Sequence, residues 1–156
     1  MPTIRCLAQA MTMPNLVVII THGHLAEGLL DSATMVCGRV DHAHAISFEP
    51  GVSPEDLEHT VEDLLSGLGE GEQVLFLTDL PGGTPAKVAT TLAAHGRAEA
   101  VTGVNLPMLI EVLLATKQQD ARSLAELAVE KGREGVVDSG RQIRDALSSR
   151  VEGRHP

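Results

Sequence analysis

Two stretches of this 156-residue sequence carry side chains able to do chemistry. In "VVIITHGHLAEGLL" an apolar run stops at Thr21, His22, Gly23 and His24. This places imidazoles at the carboxyl end of a strand buried on both faces, where open α/β sheets hold their ligands. In "VLFLTDLPGGTP" a second apolar run stops at Asp79, and Gly82, Gly83 and Thr84 lead into a helix. Glycine lets backbone N–H groups converge without Cβ obstruction, and a helix N-terminus adds its positive dipole end, so this turn suits an anion such as phosphate. Free imidazole titrates near pH ~6.5 and is largely a neutral nucleophile at neutral pH. A carboxylate accepting its Nδ1–H would leave Nε2 with a lone pair aimed outward. Both strand ends face one edge of a parallel sheet, so His22, Asp79 and Thr84 can meet there.

Each element also has a plainer reading. A histidine after a strand is most often a loop residue bonded to a nearby carbonyl, and GGTP is a common helix-start turn. The turn holds neither GxxxxGK[ST] nor a dinucleotide fingerprint. Joint placement at two strand ends is what sets these residues apart. A metal site competes, because "HGH" at 22–24 is echoed by "HAH" at 42–44, and four imidazoles would suit zinc. In parallel strands, however, the first pair lies at a carboxyl end and His42 and His44 at an amino end, roughly 15 Å away. No metal is therefore expected, and His42 and His44 read as a solvated strand start.

The elements that must position these residues alternate strand and helix, the pattern of a parallel sheet with covering helices. Strands are expected at 15–21, 43–48, 73–79 and 98–102. Helices are expected at 25–37, ending at Gly38, and from Pro54, where Ser53 can cap and Glu55 and Asp56 face the positive end. Further helices are expected at 85–95, 107–115 and 121–131. "EGVVDSG" reads as a short fifth strand, and Ile143 and Leu147, four apart, mark an amphipathic tail. The organisation is an arm over 1–14, one domain over 15–140 and a helical tail over 141–156.

Composition narrows the partners. The chain is 43% hydrophobic with two Phe and no Trp or Tyr, and its net charge is −9. Nucleic acid and anionic lipid reward clustered cations and, for bases, aromatic platforms, so neither is expected. Two cysteines outside any CxxC pair fit a reduced cytoplasmic setting. No apolar run reaches the roughly 20 residues of a membrane span, and "MPTIRCLAQAMTM" makes a poor export signal.

Taken in order, "VVIITHGHLAEGLL", "VLFLTDLPGGTP", "GVNLPMLIE" and "EKGREGV" closely resemble the IIA domain of the mannose family of the bacterial sugar phosphotransferase system (PTS), over about 15–138. The resemblance implies an α/β fold with an open sheet of four parallel strands and covering helices, plus a fifth, antiparallel strand exchanged across a homodimer, for which "EGVVDSG" occupies the matching place. It implies a phosphocarrier in which His22 accepts a phosphoryl group from HPr and donates it to a IIB protein, with IIC and IID membrane proteins served indirectly. Asp79 would support the imidazole, and the turn through Gly82, Gly83 and Thr84 would lie beside the phosphate, with no cofactor. Gly23 would keep space open beside His22 for the partner's histidine. The family often has Ser where Thr84 stands, and Leu80 and Pro81 replace the Thr-Trp of mannose-type members. The alternative is a regulator that binds partners according to its phosphorylation state and moves no sugar. The expected location is the cytoplasm, with the membrane reached only through the transport complex.

Overall fold

In the computed structural model, residues 15–96 and 98–152 are described; the expected arm over 1–14 lies outside them. The order is β1 (Leu16–His22), α1 (Leu25–Cys37), β2 (Ala43–Phe48), α2 (Pro54–Leu65), β3 (Val74–Thr78), α3 (Thr84–Ala94), β4 (Ala98–Thr102), α4 (Leu106–Ala115), α5 (Ala121–Glu134) and α6 (Ser139–Glu152). All ladders are parallel, and the sheet runs β2-β1-β3-β4. The chain winds outward from β1 to β2 and then returns to the other side of β1 for β3. Helices therefore diverge between the carboxyl ends of β1 and β3, which is the switch point where such sheets open a crevice.

Val, Ile, Leu and Phe fill the two central strands because both sheet faces are covered. Val17, Ile19, Leu75 and Leu77 pack against α1, α4 and α5, through Ala33, Leu109, Val112 and Leu124. Val18, Ile20, Val74 and Phe76 pack against α2 and α3, through Leu57, Val61, Val88 and Ala89. The caps are local. Ser53 and Asp56 form the reciprocal capping box of α2, and Asn105 and Asp120 cap α4 and α5 by accepting the N–H groups of Met108 and Ser123.

Several boundaries differ from expectation. Asp79 and Gln73 fall outside β3. Gln73 instead accepts the Ala121 N–H at the start of α5, and Asp79 leaves the ladder so that its carboxylate can turn toward β1. The α5 helix runs on to Glu134, and α6 already begins at Ser139, because the Asp138 carboxylate accepts the Arg141 N–H as a cap. Among the described residues of one chain, 136–138 pair with no strand. Val136 is 79% exposed and Val137 48%. Ile143 and Leu147 of α6 also face solvent.

Candidate active site

His22 is the last residue of β1. Strand alternation sends it to the same face as Val18 and Ile20, the side covered by α2 and α3. Thr21 points the other way, is fully buried, and accepts the Ala26 N–H at 2.8 Å. It thereby closes the start of α1, since His24, at the N-cap, makes no capping bond. Gly23 has φ +55°, and a side chain there would meet nothing within 4 Å. Its glycine is explained by the left-handed turn that frees the chain from the strand, rather than by crowding at His22.

Asp79 holds His22 in two ways. Its Oδ2 accepts the His22 backbone N–H at 2.9 Å, and the His22 Nδ1 lies 2.9 Å from Oδ2 and 3.2 Å from Oδ1. Oδ1 also accepts the Leu80 N–H at 2.8 Å. Burial works to raise the Asp79 pKa, but the hydrogen bonds from the His22 N–H, the His22 ring and the Leu80 N–H outweigh it and hold the carboxyl below its usual range. An ionised carboxylate only accepts, so the proton between the two groups belongs to Nδ1, and a neutral ring then carries its lone pair on Nε2. The imidazole is 43% exposed while Asp79 is 15% exposed. The imidazole is open and its anchor is sheltered.

Leu80, Pro81, Gly82 and Gly83 make a type II turn. Pro81 takes the second position, Gly82 at φ +76° the third, and the Gly83 N–H closes onto the Leu80 carbonyl at 3.1 Å. The Gly83 N–H is thus engaged within the turn. Gly83 serves by its size. A Cβ there would lie 2.9 Å from His22 Cε1 and 3.2 Å from the Leu80 oxygen. Gly83 also caps α3 without a side chain, Thr84 follows at the first helical position, and Pro85 has no N–H. Among the described residues, the N–H groups of Thr84 and Ala86 therefore have no backbone partner, at the positive end of the helix dipole. Among the described residues, the half-buried Thr84 hydroxyl has no hydrogen-bond partner.

Gly83→Ala is expected to show this crowding directly. The φ of −68° suits alanine, so only the contact with His22 and Leu80 resists. Overpacking of this kind costs about 1–3 kcal/mol. Relieving it by moving the ring would stretch the bond to Asp79. Thermal melts should show the loss of stability, and phosphoryl uptake measured by rapid quench should slow by about tenfold. A mutant matching the wild type in both would mean that the imidazole is not confined by this turn.

Several contacts were not legible in the sequence. Phe48 meets the His22 ring edge-on, with centroids 5.7 Å apart and planes at 77°. His24, 78% exposed, stands 3.6 Å from Glu49, a carboxylate neighbour that sequence spacing did not disclose. The Ser47 hydroxyl donates to Glu27 and lowers its pKa. His42, expected to be solvated, is half-buried with Nε2 2.6 Å from the Thr116 hydroxyl. His44 pairs with Val18, four residues before His22 in the ladder, so roughly 13 Å separates the two. Among the described residues no three His, Cys, Asp or Glu side chains group as metal ligands, and no helix is long and apolar enough to cross a membrane.

Comparison with known proteins agrees with this fold. Residues 16–129 match the family described as the PTS system fructose IIA component. Over 122 residues the chain is 40% identical to the PTS system mannose-specific EIIAB component of Escherichia coli, covering 77% of this chain and 38% of that protein. It thus spans well under half of that relative. It is 36% identical over 98 residues to the PTS system fructose-specific EIIA component of Bacillus subtilis, covering 62% of this chain and 67% of that one. The crystal structure of phosphotransferase system component EIIA from Streptococcus agalactiae superposes with a TM-score of 0.75 at 27% identity, covering 81% of this chain and 98% of that one. Residues 16–129 hold all four strands together with His22 and the turn after β3, and the chain belongs to the mannose/fructose-type IIA family of the PTS.

Proposed function

We propose that this chain is a cytoplasmic phosphocarrier that takes a phosphoryl group from phospho-HPr on His22 Nε2 and passes it to a separate IIB protein, for uptake of a sugar through IIC and IID membrane proteins. The observation that carries the reading is the Asp79 carboxylate 2.9 Å from the His22 Nδ1, an arrangement that leaves Nε2 to act as the nucleophile. In the forward step the Nε2 lone pair forms a bond to phosphorus, and the bond between phosphorus and the donor's nitrogen breaks. The Nδ1 proton stays in place, and Asp79 stabilises the positive charge that appears on the ring. The transferred oxygens meet the first turn of α3, where the Thr84 and Ala86 N–H groups and the Thr84 hydroxyl lack other partners. Positioning and charge stabilisation are most of what a protein contributes to phosphoryl transfer. The same groups serve the return step to IIB.

Incubation with enzyme I, HPr and phosphoenolpyruvate is expected to add one acid-labile phosphoryl group per chain. Phosphorus NMR should place it on Nε2. A group on Nδ1, or none, would overturn the reading.

The assembly belongs to the same proposal. β4 is an edge strand, and beside it lies a groove of about 600 Å³ lined by Glu99, Val101, Arg122 and Val129, among others. The exposed Val136 and Val137 leave the end of α5 with no strand partner of their own. Pairing of residues 135–139 with the β4 edge of a second copy would cover both features and remove a free edge. Sedimentation at micromolar concentration is expected to show a dimer, and a stable monomer there would rule the exchange out.

A further inference from the structure

We infer that Phe48 is a positioning residue that sets the plane of the His22 imidazole, a role that rests on the phosphocarrier reading of His22. The two rings are 5.7 Å apart at 77°, within the edge-to-face geometry that aromatic pairs prefer. Their separation is fixed by the backbone, since His22 and Phe48 are register partners and the Gly23 N–H donates to the Phe48 carbonyl at 3.0 Å. In the sheet order, β1 has β2 on one side and β3 on the other. The imidazole is thus met by Phe48 from one side and by Asp79 and Gly83 from the other.

The need for such a contact follows from what Asp79 leaves undone. A hydrogen bond keeps much of its strength over roughly 30° of misalignment, so a bond at Nδ1 alone sets the direction of Nε2 loosely. In-line attack on phosphorus depends on that direction. Phe48 can supply the missing restraint because it is itself restrained. It is half-buried at the end of β2 and packs against the cluster of Val18, Ile20 and Leu57. The other phenylalanine of the chain, Phe76, is fully buried in the same cluster. The ring at position 48 passes the rigidity of the core to an imidazole that Asp79 and Gly83 hold from the other side only.

The test compares Phe48→Leu, which keeps apolar volume and removes the ring, with Phe48→Tyr, which keeps the ring. In the wild type, NMR should show cross-relaxation between the Phe48 and His22 ring protons; its absence would overturn the inference without any variant. In Phe48→Leu, folded by thermal melt, exchange of the His22 Nδ1 proton with water should quicken by about three- to tenfold. Transfer from phospho-HPr at saturation should slow by about the same factor, with KM unchanged, and Phe48→Tyr should restore both. A raised KM at unchanged kcat would make Phe48 a docking contact and overturn positioning. Unchanged proton exchange in folded Phe48→Leu, or a Phe48→Tyr protein as impaired as Phe48→Leu, would overturn it as well. Proton exchange is read without any phosphoryl donor. A wild type that accepts no phosphate therefore removes the carrier reading while the exchange data still decide the role of Phe48.

Discussion

His22→Gln is expected to reduce phosphoryl uptake from phospho-HPr to background, while substitution of any other histidine of the described residues leaves one phosphoryl group per chain. The geometry behind this is specific to position 22. Among the described residues, only its ring is both bonded at Nδ1 to a carboxylate at 2.9 Å and placed where a Cβ on the glycine that starts α3 would crowd it. His24 is held only by a long contact to Glu49 in the open. His42 is tied to Thr116 at the opposite edge of the sheet. His44 lies four ladder positions away, His59 is on the exposed side of α2 beside Glu62, and the ring of His95 is bonded to the Thr91 carbonyl at the far end of α3. None of these stands next to the first turn of α3, so none can place a phosphoryl group against its free N–H groups. Gln occupies much of the space of His, so folding should survive, and circular dichroism would verify it. Labelled His22→Gln protein, stable to base and lost in acid, would transfer the role to another histidine.

Asp79→Asn is expected to slow transfer by about ten- to a hundredfold, at ~1.36 kcal/mol per factor of ten and about 1.5–3 kcal/mol for a hydrogen bond to a charged group. Both carboxylate oxygens accept backbone N–H groups, Oδ2 from His22 and Oδ1 from Leu80. An amide has one acceptor, so either orientation of Asn sets its NH2 against an N–H. Facing oxygen to His22 abandons Leu80. Facing nitrogen to His22 donates to Nδ1, selects the tautomer with a proton on Nε2, and removes the nucleophile, which would deepen the loss beyond the stated range. If Asp79 were only a turn residue, Asn would cap equally well and transfer would be nearly unchanged. Rapid quench on folded Asp79→Asn decides between the two.

The same substitution has a pH signature in stability. The Asp79 pKa is lower in the folded chain than its unfolded value of about 3.9. The unfolded state therefore binds the proton first as pH falls, and the stabilising contribution is complete above about pH 5 and lost as pH drops through the folded value. The stability gap between wild type and Asp79→Asn, read by denaturation, should shrink as pH falls below about pH 4. A gap that persists undiminished in acid would mean that the carboxylate charge is not what stabilises this turn.

The sequence by itself determined what depends on near neighbours along the chain. Val17 to Ile20 and Val74 to Leu77 are apolar without alternation, which only strands covered on both faces require, and this made the parallel sheet legible. Ser53 with Asp56, and Leu80 to Gly83, specify a capping box and a type II turn through bonds spanning three residues. His22 and Asp79 could be set at neighbouring strand ends because both terminate apolar runs. Tertiary structure decided what depends on register and facing. Phe48 reaches His22 because the ladder aligns residues 26 positions apart. Gly83 is glycine because α3 begins where the imidazole of β1 lies, although its own φ would admit any residue. Thr21 caps α1, and His42 bonds Thr116 across 74 residues. A shift of one residue in any of these pairings would turn the side chains to the opposite face. Local sterics leave such choices open, and only the simultaneous packing of two cores against one sheet removes the alternatives.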